Sequence, residues 1–213
     1  MNEASRFREL LTDNLHEICQ LTDDHIGQLY AHYRLLARWN RHMNLTTVQG
    51  LENIALRHYC ESLFLGAHLP SGKVSVADVG SGAGFPGFPI AVLRPDCRIT
   101  LIEPHKRKAV FLRESTRTLS NVVVFAARAE LLSERFDWVV SRAVPWERCL
   151  PTVAGLASRI ALLIGGESCR NIMKTNIIAW ESRIAIPWTR NSAVLVGTPV
   201  PRGTIRQPVS RET

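Results

Sequence analysis

The stretch "VADVGSGAGFPGFP", residues 76–89, constrains the fold more than any other part of the chain. An apolar run, "KVSVADV", ends at a loop with four glycines in eight residues: Gly80, Gly82, Gly84 and Gly87. A short buried strand that breaks into a glycine loop and then a helix is the opening unit of a ligand-binding α/β sheet. One acid, Asp78, stands before the first glycine, and Pro86 and Pro89 follow.

The segments after it keep an alternating rhythm. A helix over about 87–94 leads to a strand "CRITLIE" and a helix "HKRKAVFLRESTRTL". A strand "NVVVFA", a linking segment "ARAELLSE" and a strand "RFDWVVS" follow. A helix near 146–157 and a strand "RIALLIG" complete the series. Such alternation predicts a doubly wound, mostly parallel sheet. "SRIAIPWT" and "SAVLVGT" then lie only "RN" apart, too close for a crossover, which predicts an antiparallel hairpin on the sheet edge. Residues 1–70 read as a helical extension packed on the core. In it Thr22 can cap a helix whose apolar stripe is Ile26, Leu29, Tyr30, Tyr33, Leu36 and Trp39. "NLTTV" is a polar break before a second helical pattern, "LENIALRHYCESLFLGAHL". Residues 71–200 then form the sheet domain, and 201–213 a loose tail.

Three ligands compete for the glycine loop, beside a plain turn with none. Gly82 to Gly87 has P-loop spacing, but Phe88 stands where the lysine must be, so no ammonium group reaches a phosphate. Gly82-Ala83-Gly84-Phe85-Pro86-Gly87 matches the dinucleotide pattern GxGxxG, with Glu103 near the expected distance for a ribose acid. Against it, Pro86 and Pro89 remove N–H groups that a pyrophosphate would use. S-adenosylmethionine has no phosphate. It needs close backbone approach, which Gly80, Gly82 and Gly84 permit, with Asp78 ahead of them and an acid for its ribose diol, which Glu103 supplies.

"NLTTV", "LRHYCESL", the glycine stretch, "LIEPHKRKAVFLRE", "ARAE" and "FDWVVSRAV" occur in this order between about Leu21 and Val144. Here the chain resembles the RsmG (GidB) family, bacterial methyltransferases of small-subunit ribosomal RNA. The resemblance implies a Rossmann-like class I fold and S-adenosylmethionine as cofactor. It also implies methyl transfer to N7 of a guanine in 16S ribosomal RNA. It carries Gly80, Phe85, Ala129, Glu130 and Arg142 into the cofactor pocket, where Phe85 covers an apolar part and Ala129 with Glu130 meets the adenine. The chain departs from the family after the fifth strand, where a Lys-Gly is usual and "LLIGGES" stands instead. That departure keeps two other readings open: transfer to another RNA or a small molecule, and a cofactor-binding RNA chaperone without turnover.

Arg142 closes an apolar strand, and a charge there needs a partner. An ion pair with Glu130 or Glu103 is one reading. The other is a positioning role beside the methionine carboxylate or an RNA phosphate. No catalytic base is assigned: guanine N7 carries no proton and its lone pair is already nucleophilic. "SRAV" at 141–144 lacks the Pro-Pro-aromatic motif of exocyclic-amine methylation, and no Pro-Cys serves C5-pyrimidine chemistry.

The net charge of +7 comes from 22 Arg and 4 Lys against 19 acids. Arginine forks suit phosphates. Candidate RNA contacts are Arg34, Arg38, Arg41 and His42 on the capped helix, Lys106, Arg107 and Lys108 after Glu103, and Arg128 and Arg190. A solvated face is the alternative for each. His58 has a family counterpart but reads equally as a packed histidine. The five cysteines show no CxxC spacing and no metal is expected. No apolar run is long enough to span a membrane. A cytoplasmic monomer acting on 16S rRNA or the 30S subunit is the expectation.

Overall fold

The structure is a computed structural model, described over residues 2–142, 146–165 and 167–201, with the side chains of 146–148 and 167 left aside. Ala143 of the "SRA" motif and all but the first residue of the expected tail lie outside the described residues.

The chain opens with α1 (Glu3–Leu15), whose N-cap Asn2 accepts from the Ser5 N–H, and α2 (Asp23–Asn40). Thr22 caps α2 as expected, in a reciprocal box with His25. Ile26, Leu29, Tyr33 and Leu36 of the stripe are buried, whereas Tyr30 and Trp39 are half-buried. The second helical pattern is not one regular helix. α3 (Leu51–Ile54) runs through a π turn (Ala55–Cys60) into α4 (Glu61–Ala67). The wider turn resets the phase of the buried face. His58 and Glu61 are buried there beside Tyr59 and Cys60.

The sheet contains β1 (Ser75–Val79), β2 (Arg98–Ile102), β3 (Val122–Phe125), β4 (Phe136–Arg142), β5 (Ala157–Gly165), β6 (Ile178–Ala185) and β7 (Ser192–Pro199). Its order is β3-β2-β1-β4-β5-β7-β6. The first five strands are parallel, β7 runs antiparallel to β5, and β6 pairs with β7 at the edge. Side chains alternate between the two faces. Val76, Ile99, Leu101 and Val140 face one core that also takes in Phe7, Leu29, Leu36, Tyr59, Leu63, Ile90 and Phe111. That core joins the helical extension to α5 (Gly87–Leu93) and α6 (Lys106–Ser115). Ala77, Val79, Ile102 and Val139 face a second core with Leu150 and Val153 of α7 (Trp146–Leu156) and Cys169 and Ile172 of α8 (Glu167–Ile172).

Several boundaries differ from expectation. Arg142 is the last residue of β4, not the residue after it. α6 stops at Ser115, and the N–H and hydroxyl of its C-cap Thr116 both donate to the Leu112 carbonyl. The hairpin turn covers 186–191 instead of two residues, since Pro187 has no N–H for a ladder. β6 starts four residues earlier than read, and α8 was not anticipated.

Candidate functional site

The glycine loop leaves β1 at its carboxyl end and is tied to β2. Gly80 and Ser81 N–H both donate to the Ile102 carbonyl, at 3.0 and 3.1 Å. Gly80, Gly82 and Gly84 take φ of 75°, 56° and 89°, a region that L side chains rarely enter. Gly87 is required for space: a Cβ there would stand 2.3 Å from Leu101 Cδ2 and 2.9 Å from Asp78 Cβ.

Most of the loop's N–H groups are spent inside the protein. Gly84 and Phe85 N–H donate to the Ser81 carbonyl, and Phe88 N–H to the Gly84 carbonyl. Gly82 N–H donates to Glu103 Oε2 at 3.0 Å and Gly87 N–H to Asp78 Oδ2 at 2.9 Å. Pro86 and Pro89 have none. A pyrophosphate needs several free N–H groups and would meet the Asp78 carboxyl at the start of α5, so this loop does not fit a dinucleotide. It fits S-adenosylmethionine, which asks the loop for space and not for anion donors.

Asp78 organises the loop from below. It is fully buried, its Oδ1 has no hydrogen-bond partner, and burial pushes its carboxyl up to about 7 despite the Gly87 donor. Glu103, 5% exposed at the end of β2, accepts from Gly82 N–H and from His105 N–H at 2.8 Å. Each carboxylate oxygen retains a lone pair for a further hydroxyl, so the acid suits a ribose diol.

β4 brings in Arg142 two residues beyond Val140, which pairs with Asp78 across the parallel ladder. The side chain is 15% exposed, and its ion pair is with Glu61 of α4, not with Glu130 or Glu103: Arg142 Nη2 lies 3.1 Å from Glu61 Oε2. The expected partners are on the wrong elements. Glu103 is held by the loop, and Glu130 is exposed and accepts from the Thr152 hydroxyl. Arg142 Nη1 also donates to His58 Nδ1. Burial lowers the Arg142 pKa and raises that of Glu61, as expected for a pair withdrawn from water. Phe85, 6% exposed, is enclosed by the rings of His58, His32 and Tyr59. Ala129, on a 3₁₀ turn (Ala129–Leu131), packs into the same core as Val79 and Ile102. The glycine loop, Glu103, Ala129 and Arg142 therefore gather at the carboxyl ends of β1 to β4.

The basic candidates divide. Lys106 and Arg107 open α6 just past Glu103, Arg128 precedes Ala129, and Arg190 sits in the β6–β7 turn beside the Gly165–Ser192 pair. All four are exposed at the carboxyl edge of the sheet. Arg34, Arg38 and Arg41 instead line a groove of about 1260 Å³ between α2 and α6, with Glu3, Asp24 and Glu114 among its other residues. Arg38 pairs there with Glu114 at 3.2 Å. None of the crevice residues lines that groove. Sequence reasoning missed Glu61 and Thr46, which reach the site through Arg142 and His58. A buried acid inside "HYCESLFL" was the available signal for Glu61.

Among the described residues, no group of three or more His, Cys, Asp or Glu is placed to hold a metal ion, and no helix is long and apolar enough to cross a membrane. Residues 25–154 match the family described as rRNA small subunit methyltransferase G. The ribosomal RNA small subunit methyltransferase G of Xylella fastidiosa (strain M23) is 37% identical over 161 residues, 73% of this chain and 75% of that one. Its counterpart in Nitrosomonas europaea is 41% identical over 140 residues, 62% of this chain and 64% of that one. Among solved structures, the fold resembles magnesium protoporphyrin IX methyltransferase from Synechocystis PCC 6803 with bound SAH. That match has a TM-score of 0.59 at 16% identity and covers 84% of this chain and 100% of that one. A SAM dependent methyltransferase from Aquifex aeolicus gives 0.56 at 14%, over 69% and 93%. At such identities the structural likeness is one of fold.

Proposed function

Because the chain belongs to the rRNA small subunit methyltransferase G family, we propose that it transfers a methyl group from S-adenosylmethionine to N7 of a guanine in 16S ribosomal RNA. The family match carries this reading, because it spans the glycine loop, Glu103, Ala129, Glu130 and Arg142 in one stretch.

When bound, S-adenosylmethionine supplies a methyl group on a sulfonium, an electrophile that needs no further activation. The residues then hold the cofactor and orient the base. Glu103 accepts from the ribose hydroxyls, while the loop keeps its backbone close, with the N–H groups of Gly80, Ser81, Gly82 and Gly84 already bonded. Arg142 directs its guanidinium at the methionine carboxylate, Phe85 supplies the apolar wall, and Ala129 with Glu130 meets the adenine. The target base must be held with N7 in line with the methyl group and water kept out. No side chain has to remove a proton, which agrees with a crevice whose buried carboxyls are tied to backbone N–H groups.

The RNA side is basic. Lys106, Arg107, Arg128 and Arg190 suit backbone phosphates around the crevice mouth, and contacts of that kind fix position without reading sequence. Arg38 and Arg41 are weaker candidates, since Arg38 already has Glu114. We take the substrate to be 16S rRNA, free or in the 30S subunit, and the enzyme to be a cytoplasmic monomer. Calorimetry with S-adenosylmethionine and tritium transfer to 16S rRNA test the reading. Binding with label in the RNA supports it; no binding, or label only in a metabolite extract, refutes it.

A further inference from the structure

His58 makes three directed contacts where a packing residue needs only shape. Its Nδ1 accepts from Arg142 Nη1, so its proton is on Nε2, which donates to Thr46 Oγ1 at 2.7 Å. Its ring lies against Phe85 with centroids 4.6 Å apart and planes 21° from parallel. Thr46 is itself fixed. Its N–H donates to Asn40 Oδ1, its carbonyl accepts from Asn40 Nδ2, and its hydroxyl accepts from Val48 N–H. Burial, with the charges of Arg142 and Arg57, pushes His58 down to about 3, so the acceptor persists at neutral pH.

We propose that His58 is a positioning residue for methyl transfer, fixing the guanidinium of Arg142 and the ring of Phe85 relative to each other. The inference rests on the placing of Arg142 and Phe85 in the cofactor crevice. Glu61 alone meets Arg142 at Nη2 and leaves the long side chain free to swing about that contact. The second contact, from His58 to Nη1, fixes the plane of the fork. The NLTTV loop and the π turn thereby become part of the cofactor site, although neither is at a strand end.

Two substitutions separate the contacts. His58→Asn keeps an acceptor near the position of Nδ1 and drops the stack. His58→Phe keeps a ring against Phe85 and offers Arg142 nothing. The readouts are the S-adenosylmethionine Kd by calorimetry, KM for the cofactor and kcat on 16S rRNA, and the urea midpoint. His58→Phe is expected to raise Kd and KM about tenfold or more, and His58→Asn to return both to within about threefold of the parent. In an Arg142→Gln background His58→Phe should add less than about twofold, because its effect runs through Arg142. Equal losses in both variants, or additivity with Arg142→Gln, overturn the proposal. Should His58→Phe not fold, Thr46→Val replaces it: a raised KM at a nearly unchanged urea midpoint supports the proposal, and an unchanged KM overturns it. A parent protein that binds no cofactor, or an Arg142→Gln variant with unchanged Kd, refutes the underlying assignment and the inference with it. Additivity alone refutes only the role of His58.

Discussion

Gly87 and Asp78 meet where β1 gives way to α5, and neither tolerates a larger neighbour. A methyl group at Gly87 would press on Leu101 Cδ2, which can turn, and on Asp78 Cβ, which cannot. Gly87→Ala is therefore predicted to cost about 1–3 kcal/mol in urea unfolding, with weakened cofactor binding. Buried His58 has a pH signature. Its folded pKa, about 3, lies below the usual 6.5, so the unfolded chain binds the proton and the folded one does not. His58 thus penalises the native state as pH falls below about 6.5, its own contribution reaching roughly 2 kcal/mol at pH 5. His58→Asn removes that term, so its destabilisation measured in urea should be smaller at pH 5 than at pH 7. An equal or larger loss at pH 5 would mean that the ring is charged in the folded protein. At this scale the sequence was readable where a residue's need is local. The loop glycines and Glu103 follow from strand, turn and spacing. Arg142 announced that it required a partner but not which one, because Glu61 lies on a distant helix.

The helical segment from Leu51 to Ala67 explains that failure. The helical repeat read there does bury Ile54, Tyr59, Leu63 and Phe64, but the segment also turns the polar His58 and Glu61 inward around the π turn at 55–60, which an apolar repeat does not register. The capped start of α2 was legible because Thr22 and the acids after it act within one turn. α8 was not, being six residues long and without a repeat to detect. The C-terminal hairpin was foreseen from its short connection, but its turn is longer because Pro187 ends the ladder. β7 pairs with β6 at Gly197, next to the irregularity between Trp180 and Ser182, and a Cβ there would stand 2.6 Å from Ile178 Cγ2 and 2.8 Å from the Ala179 carbonyl. One of those neighbours is backbone and cannot turn aside. Gly197→Ala is expected to lower stability more than Thr22→Ala, whose lost cap costs about 1 kcal/mol. Urea midpoints of the two variants decide the order.

At the scale of the whole molecule, one apolar cluster links Phe7 and Leu36 of the helical extension to Val76, Leu101 and Val196 of the sheet. Residues 71–200 alone would expose that face, so their separate expression is predicted to yield aggregated or unfolded protein by gel filtration and circular dichroism. A soluble, helical and monodisperse fragment would contradict this. The alternating rhythm revealed the parallel sheet; the shared core depends on long-range packing that no local pattern encodes. Methyl transfer to guanine N7, with the proposed positioning role of Arg142, is tested most directly by mapping N7-methylguanosine in 16S rRNA after incubation with S-adenosylmethionine and either the parent or Arg142→Ala. One modified guanine is expected with the parent and none, or a rate lower by about a hundredfold or more, with a folded Arg142→Ala. No N7-methylguanosine with the parent, or undiminished modification by Arg142→Ala, would contradict it.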